Sequence, residues 1–187
     1  MYKMKKIILI AAAALVSLGA SAQNLKFAHV NFSELVQLMP EADEARAAIT
    51  ASSKEAEETY QSMVEEFNSK YSTYQQKSST WTAAIKESKE KELSEINNRI
   101  QEFQQNIQIE LQQQQSQLMA PIQEKAVKAV EKIAKEGGYI YVFDRNQILY
   151  LDESQSTDIT PAARKALNIP AGRTLETLQA ELQAAAQ

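Results

Sequence analysis

Cysteine is absent from the 187-residue chain. That excludes disulfide staples, thiolate metal sites and cysteine nucleophiles. Glycine and proline number four each, and no glycine stands between Gly19 and Gly137. This favours long helices over a turn-rich β fold. His29 is the single histidine, and with no second histidine and no cysteine it has no ready partner for a metal site or a Cys-His pair. Glycine-rich phosphate loops and a G-x-S-x-G elbow are missing too. His29 therefore reads as a packed structural residue, and the sequence implies no catalytic site, cofactor, metal or nucleotide.

What is present begins with a targeting segment. Lys3, Lys5 and Lys6 precede an apolar run from Ile7 to Leu18, and Ala20-Ser21-Ala22 follows. This is the pattern of a secretory signal peptide cleaved after Ala22, with an apolar run too short for a membrane span. Export to the periplasm is the expectation. Without those three lysines, 17 Lys+Arg face 24 Asp+Glu, a net charge of −7. An acidic chain without a basic stripe argues against a nucleic-acid partner. Contact with a membrane surface is left open.

Leu25 to Phe32 is apolar at most positions and reads as a strand buried on both faces. Ser33 is a candidate cap for a short helix over Glu34 to Leu38, and Pro40 suits the first turn of another. From Glu41 to Lys135 the chain reads as helix. One apolar series runs through Ile49, Ala56, Tyr60, Met63, Phe67, Tyr71, Tyr74, Trp81 and Ile85. A second runs from Leu93 through Ile100, Phe103, Ile107 and Leu111 to Ile133. Each forms a narrow stripe on an otherwise polar helix. Between them lies Lys86 to Glu92, without an apolar residue. A turn there would let each stripe bury the other in an antiparallel hairpin. Each arm would hold roughly 45 residues, or about 70 Å. Pro121 is expected to bend the second arm.

Gly137-Gly138 reads as a helix C-cap. Tyr139 to Phe143 reads as a strand, Asp144-Arg145-Asn146 as a turn, and Gln147 to Leu151 as a returning strand. Asp158-Ile159-Thr160-Pro161 leads into a small helix through Leu167. A last amphipathic helix carries Leu175, Leu178 and Leu182. The expected class is α+β and mainly helical. Residues 23–40 and 137–169 form a small β-containing body, 41–136 form helical hairpin arms, and 170–187 form a C-terminal extension. The body is too small to cover two-sided apolar strands, so copies of the chain should pack body to body. Phe27, Val30, Tyr139, Tyr141, Phe143, Ile148 and Tyr150 are the candidate residues of that hub. Tyr60, Phe67, Tyr71, Tyr74, Trp81 and Phe103 spread over more than one seam of the hairpin. Part of that aromatic surface should stay exposed as a binding surface.

The order of parts resembles a known family. "LKFAHVNFSELVQLMPEADEA" carries Lys26, Ala28, Val30 and Asn31 near the mature start. "GGYIYVFDRNQILYLDESQSTDIT" carries Tyr139 to Asp144, Ile148 to Tyr150 and Asp158-Ile159-Thr160 near the end. Together, over about Leu25 to Leu167, they resemble the Skp or OmpH-like family of periplasmic chaperones. The resemblance implies a homotrimer with tentacle-like arms around a cavity. It implies binding of unfolded outer-membrane β-barrel proteins without ATP, with no enzymatic activity. Enterobacterial members look strongly basic, whereas this mature chain is acidic. The competing reading is a structural or tethering coiled-coil protein of the envelope with one fixed folded partner.

Overall fold

The computed structural model describes residues 25–185; the expected signal peptide lies outside them. Strand β1 (Lys26–Val30) leads into helix α1 (Phe32–Leu38) and then α2 (Pro40–Lys77). Helix α3 (Ala83–Gly137) returns to strand β2 (Tyr139–Asp144). Strand β3 (Ser156–Asp158) and helices α4 (Thr160–Ala166) and α5 (Leu175–Ala185) follow. The expected mainly helical α+β class holds.

Local chemistry explains these boundaries. Asn31 rather than Ser33 caps α1, because its Oδ1 accepts from the Glu34 N–H at 3.2 Å while its amide donates to Glu34 at 3.1 Å. Extended Met39 then breaks the helix (ψ 140°), and Pro40 opens α2 without a lost donor. At the far end of α3, Gly138 takes φ +69° and closes the helix by donating to Ala134 and Lys135 carbonyls. Gly137 is favoured for another reason: a Cβ there would sit 2.2 Å from the Tyr139 ring, which would have to move.

Helices α2 and α3 run antiparallel. Glu41 meets Lys125, Ser52 meets Gln114, Glu66 meets Arg99 and Lys70 meets Glu92. At roughly 1.5 Å per residue, the 38 residues of α2 span about 57 Å. The turn does not lie in 86–92 as expected. It lies at Ser78–Thr80, a short 3₁₀ turn, followed by extended Trp81. Thr82 then caps α3 by accepting from the Ile85 N–H at 3.4 Å. Ser and Thr side chains here compete for the backbone, as in the Thr80 hydroxyl donating to the Lys77 carbonyl at 2.8 Å. The 86–92 run is good helix-forming sequence, and its charges pair across the hairpin and along α3. Pro121 stays inside α3, which continues to Gly137.

The sheet order is β2-β1-β3, with both pairs parallel. Parallel neighbours require a crossover, and α1 with the whole hairpin is the crossover between β1 and β2. The expected returning strand at 147–151 does not form. Arg145–Gln147 is a 3₁₀ turn, and Leu149 and Tyr150 are 107% and 82% exposed. The chain must instead carry β3 to the opposite edge of β1, so residues 145–155 are consumed as the connection. The core sits at the root of the hairpin. Ala28 and Val30 of β1, Leu35 and Leu38 of α1, and Ala42 and Ala45 of α2 are buried there. Ile122 and Ala126 of α3, Ile159, Ala163 and Leu167 around α4, and Leu178 of α5 also belong to it. Among the described residues no helix is long and apolar enough to cross a membrane.

Candidate functional site

Two surfaces stand out, one on the sheet and one along the arms. Alternation puts Ala28 and Val30 of β1 toward the core and Phe27 toward the other face. The register pairs Phe27 with Tyr141 and His29 with Phe143. Phe27 stacks on Tyr141 with ring centroids 6.3 Å apart, and Tyr141 lies 6.0 Å from Phe143. Tyr141 is 60% exposed and Phe143 42%. The sheet therefore presents an uncovered aromatic ladder, with Ile140 and Leu25 also exposed nearby in sequence. His29 is buried, with Nδ1 2.9 Å from the Ser156 hydroxyl, and packs as a structural residue.

Of the hub candidates, Phe27, Tyr141 and Phe143 come together. Val30 packs inside its own chain, at 3% exposure, and so offers nothing to a neighbour. Tyr139 is half-buried against the same core. Ile148 and Tyr150 lie in the connection outside the sheet.

Along the arms the packing is thin. Between Ala45 and Ile122, Ile96 is the one buried apolar side chain among the described residues. Tyr60, Phe67, Tyr74, Trp81 and Phe103 are half-buried, and Tyr71 is exposed. Near the tip, Phe67 stacks on Tyr71 one turn later (5.9 Å), while Tyr74 meets Trp81 edge-on (5.9 Å, 65°). Tyr74 also donates to Glu90 across the hairpin, which raises its phenol above the ordinary range. Glu92 accepts from Lys70 and Lys89, and those bonds hold its carboxyl at a pKa of about 2. The tip is thus pinned by polar contacts, while the stretch between tip and root keeps much of its apolar surface wet.

Apolar stripes alone located this arm surface; they could not show how deep it is. Two grooves flank the mid-arm seam, of about 520 and 470 Å³. Phe103 lies on the floor of both, with Ala56, Ile107 and Leu111. The small Ala56 facing larger side chains was the one signal in the sequence that a gap would open there. Ile109, 56% exposed on α3, falls outside the expected set. The surface offers cation, carboxylate, amide and aromatic contacts spread over a long arm. Among the described residues no group of three or more His, Cys, Asp or Glu side chains is placed to hold a metal.

Comparison with known proteins agrees with this geometry. The chaperone protein Skp of Yersinia enterocolitica is 28% identical over 146 residues, covering 76% of this chain and 85% of the relative. A crystal structure of an OmpH-like protein from Caulobacter crescentus superposes with a TM-score of 0.69. It is 13% identical and matches 77% of this chain and 84% of its own, a likeness of fold. The family model for outer membrane protein (OmpH-like) matches residues 26–167, from the first residue of β1 to the end of α4. The chain belongs to the OmpH-like family.

Proposed function

We propose that this protein is a nucleotide-independent holding chaperone of the periplasm. Three copies join through the aromatic face of Phe27, Tyr141 and Phe143, and their arms enclose unfolded outer-membrane β-barrel proteins. The observation that carries the reading is the arm itself: a long hairpin with one buried apolar residue between its root segments and aromatics left half in water. A folded protein rarely keeps so much loosely packed apolar surface without a partner. Family membership and the chaperone name of the Yersinia relative support the same reading.

The mechanism follows from weak contacts repeated. An unfolded barrel strand exposes alternate apolar residues and unpaired backbone, and aggregates through both. Contacts from three arms add by avidity, so none needs to be tight. Weak individual contacts also permit release without an energy source, as a folding client withdraws its apolar face. The test is light scattering from a urea-unfolded barrel protein diluted into buffer with and without the mature chain, nucleotide absent. Suppressed aggregation is expected. Unchanged aggregation with several barrel clients would remove this reading and favour an envelope tether with one folded partner.

A further inference from the structure

The mid-arm grooves have a composition that sets them apart from the tip and the root. On α3 no lysine or arginine occurs from Ile100 to Glu124, and ten glutamines fill that stretch. Cations return immediately on either side, with Arg99 paired to Glu66 and Lys125 to Glu41. The grooves of about 520 and 470 Å³ open within this cation-free, glutamine-rich belt, inside the range of ligand pockets, roughly 300–1,000 Å³. Both share an apolar strip of Ala56, Phe103, Ile107 and Leu111. Their rims carry Gln108, Gln113 and Gln117, with Glu55, Glu57 and Glu110 as the charges.

A glutamine amide offers both donors and an acceptor, the same functions as a peptide unit. A belt of such side chains beside an apolar floor fits an extended polypeptide whose N–H and C=O groups are unpaired. The three glutamates disfavour acidic segments, and no cation lines the grooves to attract them. We infer that the mid-arm seam is a docking site for extended, unfolded polypeptide. An apolar client side chain seats on Phe103, Ile107 and Leu111 while rim glutamines bond the client backbone. This rests on the holding-chaperone reading and gives it a mode of capture that does not depend on positive charge.

Ala56 lies under both grooves, so Ala56→Leu fills them from the seam side. The probe is a urea-unfolded outer-membrane barrel protein carrying a fluorophore. Binding to the wild-type chain is expected to change little between about 0.05 and 0.5 M salt, where surface ion pairs become screened. Ala56→Leu should keep or raise the thermal midpoint and weaken client binding about tenfold. Ala47→Leu, on an exposed part of α2, should leave binding unchanged. Benzoylphenylalanine placed at Gln108 should cross-link the client, and at Gln76, near the tip, far less. Unaltered binding by Ala56→Leu, or a Gln108 probe that joins arm to arm, would overturn the groove site while leaving the chaperone reading intact. Should the wild-type chain bind no unfolded client at all, both fall together.

Discussion

Replacing Tyr141 by serine probes the proposed assembly face where its cost is easiest to work out. Tyr141 is 60% exposed in a single copy and stacks on Phe27 without belonging to the buried core. A fully buried aromatic covers roughly 150–250 Å². Three-fifths of that is about 120 Å² newly covered on assembly. At about 25 cal/mol per Å² this contributes about 3 kcal/mol per copy. Across three copies the loss is about 9 kcal/mol, or a factor near 10⁶ in the association constant; half coverage still leaves about a thousandfold. Folding of the single chain should change little, because serine remains compatible with an exposed strand position. Sedimentation velocity over a dilution series reads the outcome. The wild type should hold a constant mass while Tyr141→Ser dissociates, with unchanged far-ultraviolet circular dichroism. Identical masses for the two chains at every dilution would refute the assignment of this face as the hub.

The other predictions concern the tip, the cap and the extension. Glu92 has its pKa lowered from 4.5 to about 2 by bonds from Lys70 and Lys89. The contribution to hairpin stability is therefore complete above about pH 4.5 and is lost as pH falls toward 2. Carboxyl ¹³C titration should give a midpoint near the lower value; a midpoint near 4.5 would show that the pairing does not persist in solution. Gly138→Ala forces a Cβ into left-handed backbone, at a cost of about 1–2 kcal/mol, to be read as a lowered thermal midpoint. Leu178→Ala opens a buried site on α5 and should cost about 2–5 kcal/mol. An unchanged thermal midpoint would mean that α5 is not docked on the body.

Much of this fold is legible in the sequence, and the failures are instructive. The cap at Gly137-Gly138, the start at Pro40 and the long helical span follow from local chemistry, which a single sequence carries. The turn lies at 78–82 and not in the run that lacks apolar residues, because that lack does not mark a turn. Lys86 to Glu92 lacks them because its charged side chains face water and pair with Lys70 and within α3. The serine and threonine run beside Trp81 was the truer sign. The expected strand at 147–151 fails for a different reason. Ile148 to Leu151 has strand-like composition, yet a parallel β3 on the far edge of β1 requires a connection at that point, and topology overrides propensity.

Sequence likewise pointed to the arm aromatics without revealing the grooves. Groove depth depends on how far two helices stand apart opposite Ala56, which no single stripe encodes. The C-terminal extension was legible as a helix but not as part of the body. Arg173 pairs with Asp43 at 2.6 Å, Arg164 reaches Glu34 and the Pro170 carbonyl, and Leu178 enters the core. The Arg164–Glu34 and Arg173–Asp43 pairs join positions 130 residues apart, and a single sequence gives no sign of them. They also lie partly beyond the residues matched by the family model, which ends at 167.

The most direct test is the mass of the complex formed when the mature chain meets a urea-unfolded barrel protein without nucleotide. Native mass spectrometry should find three copies of this chain with one client. The client's amide spectrum should stay narrowly dispersed, as in an unfolded chain. A client that emerges folded within the complex, or a mass corresponding to one copy on one partner, would contradict the account.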